Sequence, residues 1–182
     1  TRPLFEAAGL DPEAVRVYLL ADDSLNAFVA GGMNLFINTG LLMRAESANQ
    51  IIGVIAHETG HIAGGHLARS QEALRNASIE AIVACIIGMT AAAVGATQSG
   101  GGDAAGVGAS ACALGQQVGY RSLMQFSRTQ EAAADQAGLS YLDATQQSSR
   151  GTEEFLEILT TQEALLGANQ QPFLRSHPLT RD

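Results

Sequence analysis

Apolar and polar positions divide the chain into short alternating runs, one compact buried helix and a long stretch without charge. Residues 3–8 read as a short helix closed by Gly9, and residues 15–20 (VRVYLL) alternate as a strand does. Residues 26–29 and 34–38 read as two more strands joined across Gly31 and Gly32, because glycine reaches the backbone conformations that a hairpin turn needs. Glu46, Ser47 and Ala48 then open a helix whose apolar lead-in (Ile51, Ile52, Val54, Ile55, Ala56) marks it as buried. The expected fold class is α+β, mainly helical, with a small antiparallel sheet preceding the buried helix.

Beyond a polar stretch at 69–76 the pattern changes. Residues 81–102 carry no charge, and neither do residues 104–120; a glycine-rich break, SGGGD, lies at 99–103. This predicts an Ala/Gly-rich helical hairpin over 77–120, inserted into one domain spanning 1–182. Its best apolar run, 79–94, falls short of the roughly 20 strongly apolar residues that span a bilayer and contains Glu80. The hairpin is therefore expected to be buried or to touch a membrane surface through 79–115, rather than to span. Cys85 and Cys112 stand nearly symmetrically about its tip, so they face one another either as a disulfide or as two free, buried thiols. Residues 127–141 are alanine-rich and helical. A polar loop follows at 143–151, then a helix capped by Thr152, running to 166 and ended by Gly167. The tail, 169–182, is irregular.

The chemistry sits in the buried helix. His57-Glu58-Thr59-Gly60-His61 is an HExxH pattern: two histidines four apart share a helix face and can address one metal ion, while Glu58 can reach a water bound to it. Zinc suits such a site because it accepts imidazole and carboxylate, keeps a position for water and lowers that water's pKa. A third ligand is required. The extended pattern HExxHxxGxxH places it at position 67, which is Leu67; His66 is one residue off and is read as a surface residue or a support behind a ligand. Glu131 and Asp135 also share a helix face, with only alanines between them. They are either a solvated pair or, with Glu131 as third ligand, a carboxylate ligand followed by a group that holds a ligand histidine by its other nitrogen.

Composition adds boundaries. With 182 residues, 46% of them hydrophobic, the chain can bury one sizeable core. A net charge of −8 offers no basic surface for nucleic acid. Two cysteines are too few for a disulfide framework. The chain starts without Met and ends abruptly after HPLTRD, and is read as an excised domain whose targeting segment is absent.

HETGH followed by EAAAD, with NAFVAGG and INTGLL before them and SHPLTRD after, resembles the gluzincin family of HtpX, Oma-type and CAAX-prenyl zinc peptidases, and within it the periplasmic BepA type. The resemblance covers about residues 26–182. It implies a zincin-like metalloprotease domain holding one Zn2+ per chain through His57, His61 and Glu131, with Glu58 as general base and Asp135 behind a ligand. It implies that His177 of the tail can occupy the zinc's open position and keep the enzyme latent. It also implies a substrate-binding strand near the metal, for which Asn34, Leu35, Phe36 and Ile37 are the candidates beside residues 26–29. The expected function is a zinc metalloendopeptidase for unfolded or misassembled proteins, in the periplasm, serving outer-membrane protein quality control. The alternatives are a chaperone-like binding module with a latent zinc site and a membrane-associated quality-control protease. A C-terminal repeat domain normally follows in this type.

Overall fold

The structure is a computed structural model that describes residues 1–98 and 104–166. Its elements are α1 (Arg2–Ala7), β1 (Arg16–Leu20), β2 (Ala27–Ala30), β3 (Asn34–Asn38), α2 (Thr39–Arg44), α3 (Ala48–Ala63), α4 (His66–Gln98), α5 (Ala104–Ala144) and α6 (Arg150–Leu166). The chain divides into two compact units: Thr1–Leu67 with the chain from Arg128 onward, and Ala68–Ser127. The expectations for the 99–103 tip and for His177 lie outside the described residues.

In the first unit, β2 and β3 form the expected antiparallel hairpin, with Phe28 opposite Phe36 and Val29 opposite Leu35. Gly31 and Gly32 both have positive φ, +58° and +93°, a conformation that costs glycine nothing and other residues strain. β1 joins the other side of β3 in parallel, pairing Tyr18 with Phe36. The strand order is β1-β3-β2, so the sheet is mixed rather than antiparallel throughout: β2 fills the return path, and β1 and β3 run the same way.

This order corrects the expectation for Asn34, Leu35, Phe36 and Ile37. They lie on the central strand, whose backbone is hydrogen-bonded to a neighbour on both sides, so β3 has no edge to which a peptide could add. Alternation sends Leu35 and Ile37 into the core with Ala27, while Phe36 stacks between Tyr18 and Phe28 on the other face, with ring centroids 5.1 Å apart in both pairs.

The core joins this sheet to helices. Leu4 and Phe5 of α1, Val54, Ile55 and Ala56 of α3, Leu142 of α5, and Phe155 and Leu159 of α6 are all buried together with Leu35 and Ile37. Ser47 caps α3, its Oγ accepting from the Gln50 amide at 3.3 Å. α6 begins at Arg150, two residues before the expected cap at Thr152. Gly151 is buried against Asn49, where any Cβ would collide with backbone, and this fixes how the start of α6 meets α3.

The second unit is built from α4 and α5 with small residues inside. A Cβ on Gly115 would lie 2.7 Å from that of Ala84, and one on Gly119 would lie 2.8 Å from the Ala77 carbonyl. Cys85 and Cys112 are joined in a disulfide. Ile79, Ile82, Val83, Ile86 and Ile87 recur at helical spacing on the face of α4 turned away from that contact, and all five are exposed. Among the described residues no helix is long and apolar enough to cross a membrane.

Candidate metal centre

The i, i+4 spacing on α3 brings the His57 and His61 rings together, and α5 delivers Glu131 to the same point. Close approach of the two helices makes this possible. A Cβ at Gly60 would stand 2.7 Å from the Ala134 carbonyl oxygen, and one at Gly138 3.1 Å from the backbone of Ala56 and His57. Larger residues at either position would hold α5, and with it Glu131, away from the histidines.

His57 Nε2 and His61 Nε2 lie 3.0 Å apart; Glu131 Oε2 is 3.4 Å from the first and Oε1 is 3.6 Å from the second. One ligand atom from each residue falls within 4.8 Å of the others. Zn–N and Zn–O bonds of about 2.0 Å in a tetrahedral arrangement put neighbouring ligand atoms about 3.3 Å apart, so this donor set fits zinc. Two imidazole nitrogens and a carboxylate turned towards one point also call for positive charge between them. The surroundings of His57 create that demand. Burial disfavours its charged form, but hydrogen bonds to Asp135 and Glu131 and the nearby charges of Glu58 and Asp135 outweigh burial and raise its pKa to about 10.

Behind the cluster, His57 Nδ1 donates to Asp135 Oδ1 at 2.7 Å, which leaves Nε2 with its lone pair for a metal. Glu58 is fully buried beside His57 on α3. The structure thus brings His57, Glu58, His61, Glu131 and Asp135 into one place. It also places His66, which sequence reasoning left between surface and support. His66 is buried, with Nδ1 3.1 Å from His61 Nδ1. The signal that could have found it is the Gly64-Gly65 pair. α3 stops there, with Gly65 at φ +62°, and the turn swings His66 back towards His61, where a continuous helix would carry it away.

A helix bearing two histidines and a buried glutamate, completed by a carboxylate from a second helix, is an arrangement that can hold a metal ion. The model of peptidase family M48 matches residues 1–182, and the chain belongs to that family. It is similar to the beta-barrel assembly-enhancing protease of Escherichia coli O157:H7, with 29% identity over 89% of this chain and 31% of that protein. It is likewise similar to the beta-barrel assembly-enhancing protease of Yersinia pestis, with 26% identity over 89% of this chain and 31% of that protein. The chain spans about a third of the length of these curated relatives.

Proposed function

We propose that this chain is a zinc-dependent metalloendopeptidase, and the observation that carries the reading is the convergence of His57, His61 and Glu131 next to the buried Glu58. Zinc bound by these three residues supplies a water of lowered pKa and a Lewis acid for the scissile carbonyl. Glu58 takes the proton of the attacking water on its carboxylate and returns it to the leaving amine. Asp135 keeps the His57 ring in the tautomer that binds. The core packing of α3 against α6, with Gly60 and Gly138 on the α5 side, holds these groups in register before substrate arrives.

Substrate binds extended. With β3 enclosed, the sheet has two edges, β1 and β2, and on the β2 side residues 26–29 offer backbone groups to which an unfolded segment adds as a further strand. This favours unfolded or misassembled chains, since a folded substrate has no free strand to present. Similarity to proteases named for β-barrel assembly supports outer-membrane proteins as substrates and the periplasm as the compartment. The Cys85–Cys112 disulfide supports an oxidising compartment independently.

The test is casein cleavage by the zinc-loaded chain beside Glu58→Gln, with zinc content measured on both. Cleavage should fall by about 10²-fold or more in the variant, with zinc retained. Undiminished cleavage removes Glu58 from its role. Binding of substrate without cleavage by either protein favours a chaperone-like module with a latent zinc site.

A second reading concerns the hairpin: its outer face meets a lipid surface. Small residues inside and large aliphatic ones outside invert the arrangement of a water-soluble hairpin and match helix packing in lipid. Charge placement agrees. Residues 81–98 and 104–120 carry none, while the charged side chains Arg69, Glu72, Arg75, Glu80 and Arg121 lie towards the base of the hairpin. The chain should float with vesicles of phosphatidylethanolamine containing a minority of phosphatidylglycerol, and Ile82→Glu with Ile86→Glu should abolish flotation. A self-associated chain that ignores vesicles would assign the face to a second copy instead.

A further inference from the structure

His66 contacts a metal-site imidazole from behind, and neither the ligand set nor the proton transfer uses it. Its Nδ1 is 3.1 Å from His61 Nδ1, and the two rings stand nearly perpendicular, 85° between planes with centroids 4.9 Å apart. Two ring nitrogens at this distance share one proton. His61 turns Nε2 towards His57 and Glu131, so a lone pair is needed there, and a neutral imidazole then carries its proton on Nδ1. His66 accepts that proton's hydrogen bond through Nδ1 and keeps its own hydrogen on Nε2.

We propose that His66 is the positioning residue of His61: it fixes the tautomer and the ring orientation with which His61 addresses the metal. The inference rests on the metal site described above. The two histidine ligands are then supported differently, His57 by the carboxylate of Asp135 and His61 by a neutral imidazole.

The backbone is built to seat this ring. On an unbroken helix, residue 66 would lie about 140° around the axis from residue 61 and could not reach it. Gly65 takes φ +62°, which breaks the helix and starts α4 at His66. The ring lies over Gly64, where any Cβ would collide with it. Gln130 Nε2 donates to the His66 carbonyl oxygen at 3.3 Å, tying this turn to the residue immediately before Glu131. One short turn thereby connects the support of His61 to the helix that supplies the third ligand.

The experiment is competition for zinc between a chelating dye and the purified chain, as wild type, His66→Leu, His66→Asn and Gly64→Ala. Asn places an acceptor oxygen close to where Nδ1 sits; Leu has none; the alanine displaces the His66 ring without removing it. His66→Leu and Gly64→Ala should weaken zinc binding by about 10–100-fold, and His66→Asn should retain most of the affinity. In proton NMR of the zinc-loaded chain, the His61 imidazole N–H should be protected from solvent exchange in wild type and His66→Asn and lose protection in Gly64→Ala. This readout would not move if His66 merely filled space. Wild-type affinity in both His66→Leu and Gly64→Ala, or an Asn variant as weak as Leu, overturns the proposal. If His66→Leu does not fold, Gly64→Ala against His66→Asn decides. A wild-type chain that takes up no zinc overturns the metal site itself, which separates that failure from this one.

Discussion

The two compact units use the same device to opposite ends. In both, a glycine on one helix admits the backbone or methyl of an alanine on the next: Gly60 against Ala134 in the first, Gly115 against Ala84 in the second. In the first unit, close approach brings Glu131 to His57 and His61, and the large side chains of the same helices, Val54, Ile55 and Leu142, turn into a core. In the second, close approach uses up the small residues and leaves the isoleucines of α4 outside. Small residues therefore set the distance between helices; where the large residues go decides whether that distance serves a buried site or an exposed surface.

The largest effect that separates the units is expected from the disulfide. The bridge joins cysteines 27 residues apart and lies wholly within Ala68–Ser127. Closing a loop of that size restricts the unfolded chain by about 3.5 kcal/mol. Cys85→Ser with Cys112→Ser should lower the stability of the hairpin by that order in denaturant unfolding, while zinc affinity stays at the wild-type value. A parallel loss of zinc affinity would show that the metal centre depends on the hairpin, and the distinction between the units would fail.

The two units were not equally legible in the sequence. HExxH announces its geometry because i, i+4 is a property of any helix, and Glu58 follows from it. Glu131 and Asp135 lie 70 or more residues after His61. Residue spacing alone left them open as a solvated pair; only the family resemblance singled them out. Their convergence depends on Gly60 and Gly138, whose role exists only once two helices touch. The strands were found by alternation, but alternation is blind to partners, so β3 could not be known as central, nor β1 as parallel to it. His66 was hidden because an unbroken helix would carry residue 66 away from His61, and only the turn at Gly64-Gly65 brings it back. In the hairpin, the apolar spacing was visible, but whether Ile82 and Ile86 face a neighbour or the outside is set by which side of α4 the alanines occupy.

A smaller effect should appear in the first unit alone, as a dependence on pH. In the metal-free chain, His57 has a folded-state pKa of about 10 against 6.5 for the free side chain. A raised folded pKa means that the folded state binds the proton more tightly. The stabilisation is fully present below pH 6.5 and is lost as pH rises towards 10, at up to about 1.4 kcal/mol per pH unit within that window. Denaturant unfolding of the metal-free chain at pH 6.5, 8 and 9.5 should therefore show falling stability. Asp135→Asn should flatten the curve, because the hydrogen bond to Asp135 is the largest of the contributions that raise the pKa. A flat wild-type curve would mean that the acidic groups around His57 do not hold a proton there.

The smallest effect is expected where a sequence reader would look for a large one. Ile86 and Ile55 are the same residue in long helices, yet Ile86 is 51% exposed and Ile55 only 5%. Truncating a buried isoleucine leaves a cavity and typically costs a few kcal/mol, whereas an exposed one loses little beyond helix propensity and slight local packing. Ile86→Ala should thus change unfolding free energy by no more than about 0.5 kcal/mol in dilute solution without lipid. The same substitution should weaken vesicle flotation, because the apolar surface it removes is what a lipid phase would cover. A cost of 2 kcal/mol or more in the absence of lipid would mean that the face is already covered in solution. Sedimentation of the wild-type chain would then identify a second copy by mass, and the hairpin would be a self-association surface built on the same inverted packing.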